Sequence, residues 1–135
     1  MNEQNKKANI FEEIERANET IKVTSLLFEN GFVKDAVARL YYSVLYFVRA
    51  LLLTEGFEPK SYEGALRLFG LYFVKKGLFK VEDSHIFSKL MKYREEADYN
   101  PSYTFTREDF IEFKEESERF IQEIMVYLKA KGYWD

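Results

Sequence analysis

Between Val33 and Glu55 the chain offers almost no polar face, because Val37, Leu40, Tyr41, Val44, Leu45, Val48, Leu51 and Leu52 recur at steps of three and four until Gly56 interrupts them. That spacing is helical. A helix that is apolar over so much of its circumference must be covered on more than one side, so the rest of the chain has to supply other helices to pack around it. Only six Gly and two Pro punctuate the 135 residues, and they fall between further segments of the same periodicity.

Four more helices are expected on that basis. The first runs from about Gln4 to Glu29, with Ile10, Ile14, Ala17, Ile21 and Phe28 on one side and Asn30-Gly31 as its stop. Glu58-Pro59 breaks the chain after the second, and Ser61 is an N-cap for a third helix carrying Leu66, Phe69, Phe73 and Val74 up to Gly77. Asp83 or Ser84 caps the fourth, with Ile86, Phe87, Leu90 and Met91 inward and Arg94 to Tyr99 at its end. Asn100-Pro101-Ser102 forms a loop, and Thr106 with Asp109 makes a capping box for the last helix, whose stripe is Phe110, Phe113, Phe120, Ile121, Ile124 and Leu128. Short links between long amphipathic helices favour antiparallel neighbours. The expected fold is all-α: one domain over residues 1–135, an antiparallel up-and-down bundle of four to five helices with the third as a shorter lid.

Composition narrows the chemistry. Cysteine is absent, which removes disulfides, thiolate nucleophiles and Cys-based zinc sites. His85 is the only histidine, so a His-rich metal site or a His pair within one chain is excluded. It lies near the start of the fourth helix and reads as a surface or boundary residue. No Gly-rich phosphate loop occurs, so no cofactor is expected. The net charge of −3 argues against indiscriminate nucleic-acid binding but leaves local basic stripes open. The amino-terminal MNEQNKKANIFEE lacks the apolar centre of a secretory signal, and Ser43 and Arg49 interrupt the most apolar run, so a cytoplasmic protein without a membrane span is expected.

Two constellations stand out. Away from its apolar stripe the second helix carries Arg39, Tyr42, Tyr46 and Arg49, two cations bracketing two phenols. Such a strip suits a nucleic-acid strand, with rings stacking on bases and guanidiniums pairing with phosphates; it equally suits burial against a second copy of the chain. Arg94 and Asp98 share a helical face, with Tyr99 beside them, and read either as a phosphate-handling cluster or as an ion pair closing a helix end. The acidic run Glu112, Glu115, Glu116, Glu118 and Glu123 reads as a solvated face.

Ala38-Arg39-Leu40-Tyr41-Tyr42, then Arg49-Ala50-Leu51-Leu52, then Phe73-Val74-Lys75-Lys76-Gly77, and finally Arg94-Glu95-Glu96-Ala97-Asp98-Tyr99 occur in this order. In them, over about Ile21 to Leu128, the chain resembles the small stand-alone HEPN proteins of bacteria and archaea. The resemblance implies an antiparallel helical bundle that pairs into a homodimer, with kinship to the substrate-binding subunits of nucleotidyltransferases. Many HEPN proteins are metal-independent endoribonucleases that use an Arg, a spacer of four to six residues and a His at the dimer seam. Counting on from Arg94, the positions for that histidine hold Tyr99, Asn100 and Pro101. Tyr62 follows Lys60-Ser61 where related sequences often carry another histidine. Phenol is a poor general base at neutral pH beside imidazole, so the usual ribonuclease step loses its proton-transfer residue.

The resemblance also implies a minimal nucleotidyltransferase as partner, as in toxin–antitoxin pairs in which a tyrosine near the Arg is adenylylated; Tyr99 is the acceptor by proximity. Three functions follow as expectations. The first is an RNA- or nucleotide-binding module using Arg39, Tyr42, Arg49, Arg94 and Tyr99. The second is a metal-independent endoribonuclease toxin with Arg94, Asp98 and Tyr99 as catalytic candidates. The third is a purely structural dimerisation domain.

Overall fold

A computed structural model describes residues 2–135, which form five α-helices and, among the described residues, no strand. They are α1 (Glu3–Glu29), α2 (Val33–Leu53), α3 (Tyr62–Phe69), α4 (Val81–Tyr99) and α5 (Arg107–Ala130). α2 lies at the centre, with α1 against it over the largest area and α3, α4 and α5 covering its other sides. Fourteen of the 21 residues of α2 are buried, which is why its sequence has so little polar surface. By length and composition α2 could cross a membrane; 78% of its most apolar stretch is instead enclosed by the other helices.

α1 starts at Asn2, whose side chain accepts a hydrogen bond from Asn5 N at 2.8 Å. Its buried stripe is Ile10, Ile14, Ala17, Thr20 and Thr24, whereas Ile21 and Phe28 are only partly covered. The sequence pattern missed the threonines because each hides its polarity, donating its hydroxyl to the carbonyl four residues back, Arg16 O and Thr20 O, at 2.8 Å. Gly31 then takes φ 86°, which lets Phe32 N reach back to Leu27 O at 2.8 Å and turns the chain directly into α2.

Two helix ends differ from expectation. The third helix is α-helical only to Phe69 and continues as a π-helical turn over Gly70–Val74, closed by a bond from Lys75 N to Gly70 O at 2.8 Å. Phe69 and Phe73 are both fully buried there, their rings stacked at 6.1 Å, so burial of both rings accompanies the wider turn. α4 begins at Val81, earlier than an Asp83 or Ser84 cap would allow. Asp83 sits inside the first turn, and its carboxylate accepts from Lys80 N at 3.1 Å, serving the helix start from within. α5 starts as its sequence indicated, with Thr106 and Asp109 exchanging bonds of 3.0 and 2.8 Å.

The acidic run on α5 is not uniformly solvated. Glu112, Glu115 and Glu118 are exposed, but Glu116 and Glu123 turn towards α4 and pair with Lys89 and, at 3.6 Å, with Lys80.

Candidate nucleic-acid interface

Arg94 lies on the inward stripe of α4, following Phe87, Leu90 and Met91 at helical steps, and only 4% of it is exposed. Its guanidinium carbon stands 4.8 Å from the centre of the Tyr62 ring, 5.6 Å from Tyr41 and 5.9 Å from Tyr99. Nη1 is 3.7 Å from Asp98 Oδ2, one turn further along, and Nη2 is 3.8 Å from Glu95 Oε1. The charge is thus caged by three ring faces and two carboxylates. Nε is buried without a hydrogen-bond partner, as is the Tyr41 hydroxyl. Burial works against the guanidinium charge, but Tyr42, Tyr41, Tyr62 and Asp98 outweigh it and hold Arg94 above its ordinary range.

Asp98 joins this cage to the surface. The Tyr42 hydroxyl, from α2, donates to Asp98 Oδ2 at 3.3 Å. Burial, then the Asp98 charge and Tyr62, push the Tyr42 phenol up to about 12. Tyr42 is therefore a donor at neutral pH and not a base. Burial raises Tyr41 as well, ahead of the opposing pull of Arg94. Tyr42 and Asp98 line a groove of about 560 Å³ between α1 and α2, with Arg39 and Tyr46 along one side and Val23 and Leu27 along the other. Arg39 is exposed, the Arg16 guanidinium lies 5.0 Å over the Tyr46 ring, and Tyr99, next to Asp98 in sequence, is 76% exposed.

The site residues expected from sequence therefore fall into three places. Arg94, Asp98, Tyr99 and Tyr42 come together in one cluster; Arg39 shares the groove with Tyr42 and Asp98; Arg49 lies further along α2, beside a separate cavity with Tyr62. Tyr41 and Tyr62 complete the cage and were not picked out as site residues. Tyr41 is indistinguishable by spacing from the core stripe it belongs to, and Tyr62 enters from another helix whose start Ser61 sets by accepting from Gly64 N at 2.9 Å. His85 is exposed, nine residues and about 13 Å of helix rise before Arg94, so α4 keeps it away from the cage. Among the described residues no three His, Asp or Glu side chains form a set able to hold a metal ion.

The family model described as HEPN domain matches residues 12–127. A protein of Methanocaldococcus jannaschii named as a toxin candidate is 38% identical over 116 residues, covering 86% of this chain and 86% of the relative. A second toxin candidate of that organism is 31% identical over 119 residues, covering 88% and 81%. A UPF0332 protein of Thermotoga maritima is 31% identical over 109 residues, covering 81% and 83%. The matched span takes in every residue of the cage and groove, and the chain belongs to the HEPN domain family.

Proposed function

We propose that this chain is a toxin-like HEPN module that binds single-stranded RNA along the exposed edge of α2, as a homodimer working with a minimal nucleotidyltransferase. The observation that carries the reading is the groove itself: on a helix otherwise packed on its other sides, Arg39 is exposed and Tyr42 and Tyr46 are half-buried in a groove shared with Asp35 and Asp98. Arginines alternating with phenol rings suit a strand whose phosphates and bases also alternate. Arg94 acts from beneath, holding Asp98 in the groove's lining and adding positive potential through the Tyr62 and Tyr99 faces. The toxin-like assignment comes from the names of the two Methanocaldococcus relatives.

The homodimer follows from the family resemblance; Leu26, 59% exposed, and Phe32, 56% exposed, are apolar side chains that a second copy could cover. A nucleotidyltransferase would find the Tyr99 hydroxyl accessible. The rival reading, a metal-independent endoribonuclease, rests on the Arg94, Asp98 and Tyr42 cluster, with Arg94 stabilising phosphorane charge.

One experiment separates them. Wild type and Arg94→Ala are incubated with mixed tRNA and mRNA in EDTA and resolved on a denaturing gel, alongside binding of a fluorescein-labelled RNA. The module reading expects intact RNA in both lanes and weaker binding by the variant. Cleavage by the wild type alone establishes the nuclease; a variant that only melts earlier, with RNA affinity unchanged, leaves Arg94 a structural residue.

A further inference from the structure

One turn beyond Tyr46, the exposed edge of α2 reaches Arg49, and the surface opens again. A cavity of about 290 Å³ lies there between α2 and the start of α3, lined by Leu45, Arg49, Lys60, Ser61 and Tyr62, with Glu58 at its edge. Its lining mixes apolar Leu45, Pro59 and Ala65 with two cations, Arg49 and Lys60, and one carboxylate, Glu58. Among the described residues neither Arg49 nor Lys60 has an ion-pair partner within 4.0 Å, although Arg49 is the leading opposing charge on Glu13 of α1 and shares a small pocket with Glu13 and Glu58. The Ser61 oxygen already accepts from Gly64 N, which leaves its O–H free to donate outward. The cavity sits at the N-terminus of α3, where unpaired backbone N–H groups add a partial positive charge. Two cations without a close ion pair, a free hydroxyl donor and a helix start converge on one small space, and a phosphate group is the ligand chemistry that uses all three.

We propose that this cavity is a phosphate subsite for the RNA strand held in the neighbouring groove, with Lys60 and Arg49 as its cations and Ser61 as its hydroxyl donor. The inference rests on the strand-binding reading above and deepens it. Arg39 and Arg49 are ten residues apart on one helix, about 15 Å along its axis. At a stacked strand's rise of about 3.4 Å per charge this corresponds to roughly four nucleotides, fewer if the strand is extended. The two openings thus register a short strand along α2, with the Tyr42 and Tyr46 rings between its anchored ends. Tyr62 belongs to both halves of the device: it walls the subsite and lies against the Arg94 guanidinium, so it ties phosphate occupancy to the cage.

The test is fluorescence anisotropy with a fluorescein-labelled mixed-sequence 12-nucleotide RNA, titrated over a range of salt concentrations. Wild type is compared with Arg39→Gln, Arg49→Gln, Lys60→Gln and Glu58→Gln, and with Lys75→Gln as a control outside both openings. Lys60→Gln should bind several-fold more weakly and flatten the dependence of log K on log salt by about 0.7, the share of one phosphate contact on a single strand. Arg49→Gln should do the same, and Glu58→Gln should tighten binding by removing a carboxylate from the phosphate's surroundings. Lys60 and Glu58 are exposed, so their variants should keep the wild-type melting temperature, which separates a binding loss from misfolding. If wild type binds and Arg39→Gln weakens it while Lys60→Gln and Arg49→Gln leave affinity and salt slope unchanged, the subsite is overturned and the groove reading stands. If wild type does not bind the RNA at all, both fall together.

Discussion

The molecule holds two clusters of aromatic rings that differ in what they enclose. Phe69, Phe73, Phe79 and Phe120 meet with ring centres 5.3 to 6.3 Å apart, all at most 6% exposed, and the one phenol that joins them, Tyr127 at 5.8 Å from Phe73 and Phe79, is itself partly exposed. Tyr41, Tyr62 and Tyr99 gather at comparable spacing around a charge, with Tyr42 behind Asp98, and leave Arg94 Nε and the Tyr41 hydroxyl unpaired. The first arrangement is what hydrophobic burial and ring packing produce when nothing else is asked of them. The second leaves a cost uncompensated: the surroundings hold the guanidinium charged, but its Nε and the Tyr41 hydroxyl are buried without a partner. Stability accounts for the phenylalanine cluster, whereas the tyrosine cage calls for a functional explanation.

Substitutions can break that contrast. The largest effect should come from Phe120→Ala, which opens a cavity in the dry cluster and should cost about 3–5 kcal/mol in denaturant unfolding. That is a large share of a typical domain's stability, while RNA affinity of the folded fraction should be unchanged. Arg94→Met should act on both: it removes the cation that Asp98 and the rings surround and should cost about 1–3 kcal/mol, with RNA affinity of the folded fraction down on the order of tenfold, about 1.4 kcal/mol. Strong destabilisation by Arg94→Met with no loss of affinity would make the cage a second core and erase the distinction. Tyr42→Phe removes one hydroxyl bond to Asp98 and should cost about 1 kcal/mol or less, with a few-fold loss of RNA affinity.

The smallest effect is a pH dependence beside the dry cluster. Burial, then the neighbouring Glu123, raises Asp83 from 3.8 to about 6. A carboxyl whose folded pKa lies above its unfolded one favours the folded state when protonated, so its contribution is fully present below about pH 4 and is lost as pH rises towards 6. Asp83→Asn should flatten that part of the curve in melts recorded from pH 4 to 7. Tyr42, raised to about 12, follows the same sign at the other end of the scale and stays neutral throughout the working range, so it should add no slope there.

How much of this was legible in sequence depended on the kind of contact. The caps at Ser61 and Thr106 could be read directly because each is a local bond within three residues. The start of α4 was misplaced because Asp83 serves the helix from inside its first turn, a role that residue type alone does not separate from an N-cap. The π-helical turn left no mark, since Phe69 and Phe73 fit an ordinary helical step as well as the wider one. Of the site, Arg94 and Asp98 were visible as a pair four residues apart on α4. That Arg94 is buried was implicit in its position four residues after Leu90, but a charge at such a position reads as surface until the rings that cover it are known.

The sequence by itself determined that this chain is a bundle of amphipathic helices around a nearly all-apolar α2, and it carried the ordered motifs of the HEPN family. Those properties follow from periodicity, capping and punctuation, which act over a few residues. Only the tertiary structure decided that Tyr41, Tyr62 and Tyr99, drawn from α2, α3 and α4, close around Arg94, and that Lys60 and Ser61 share a cavity with Arg49. The physical reason is that a cage and a cavity are relations between helices: their geometry depends on how neighbouring faces pack, and no spacing along one chain segment encodes it.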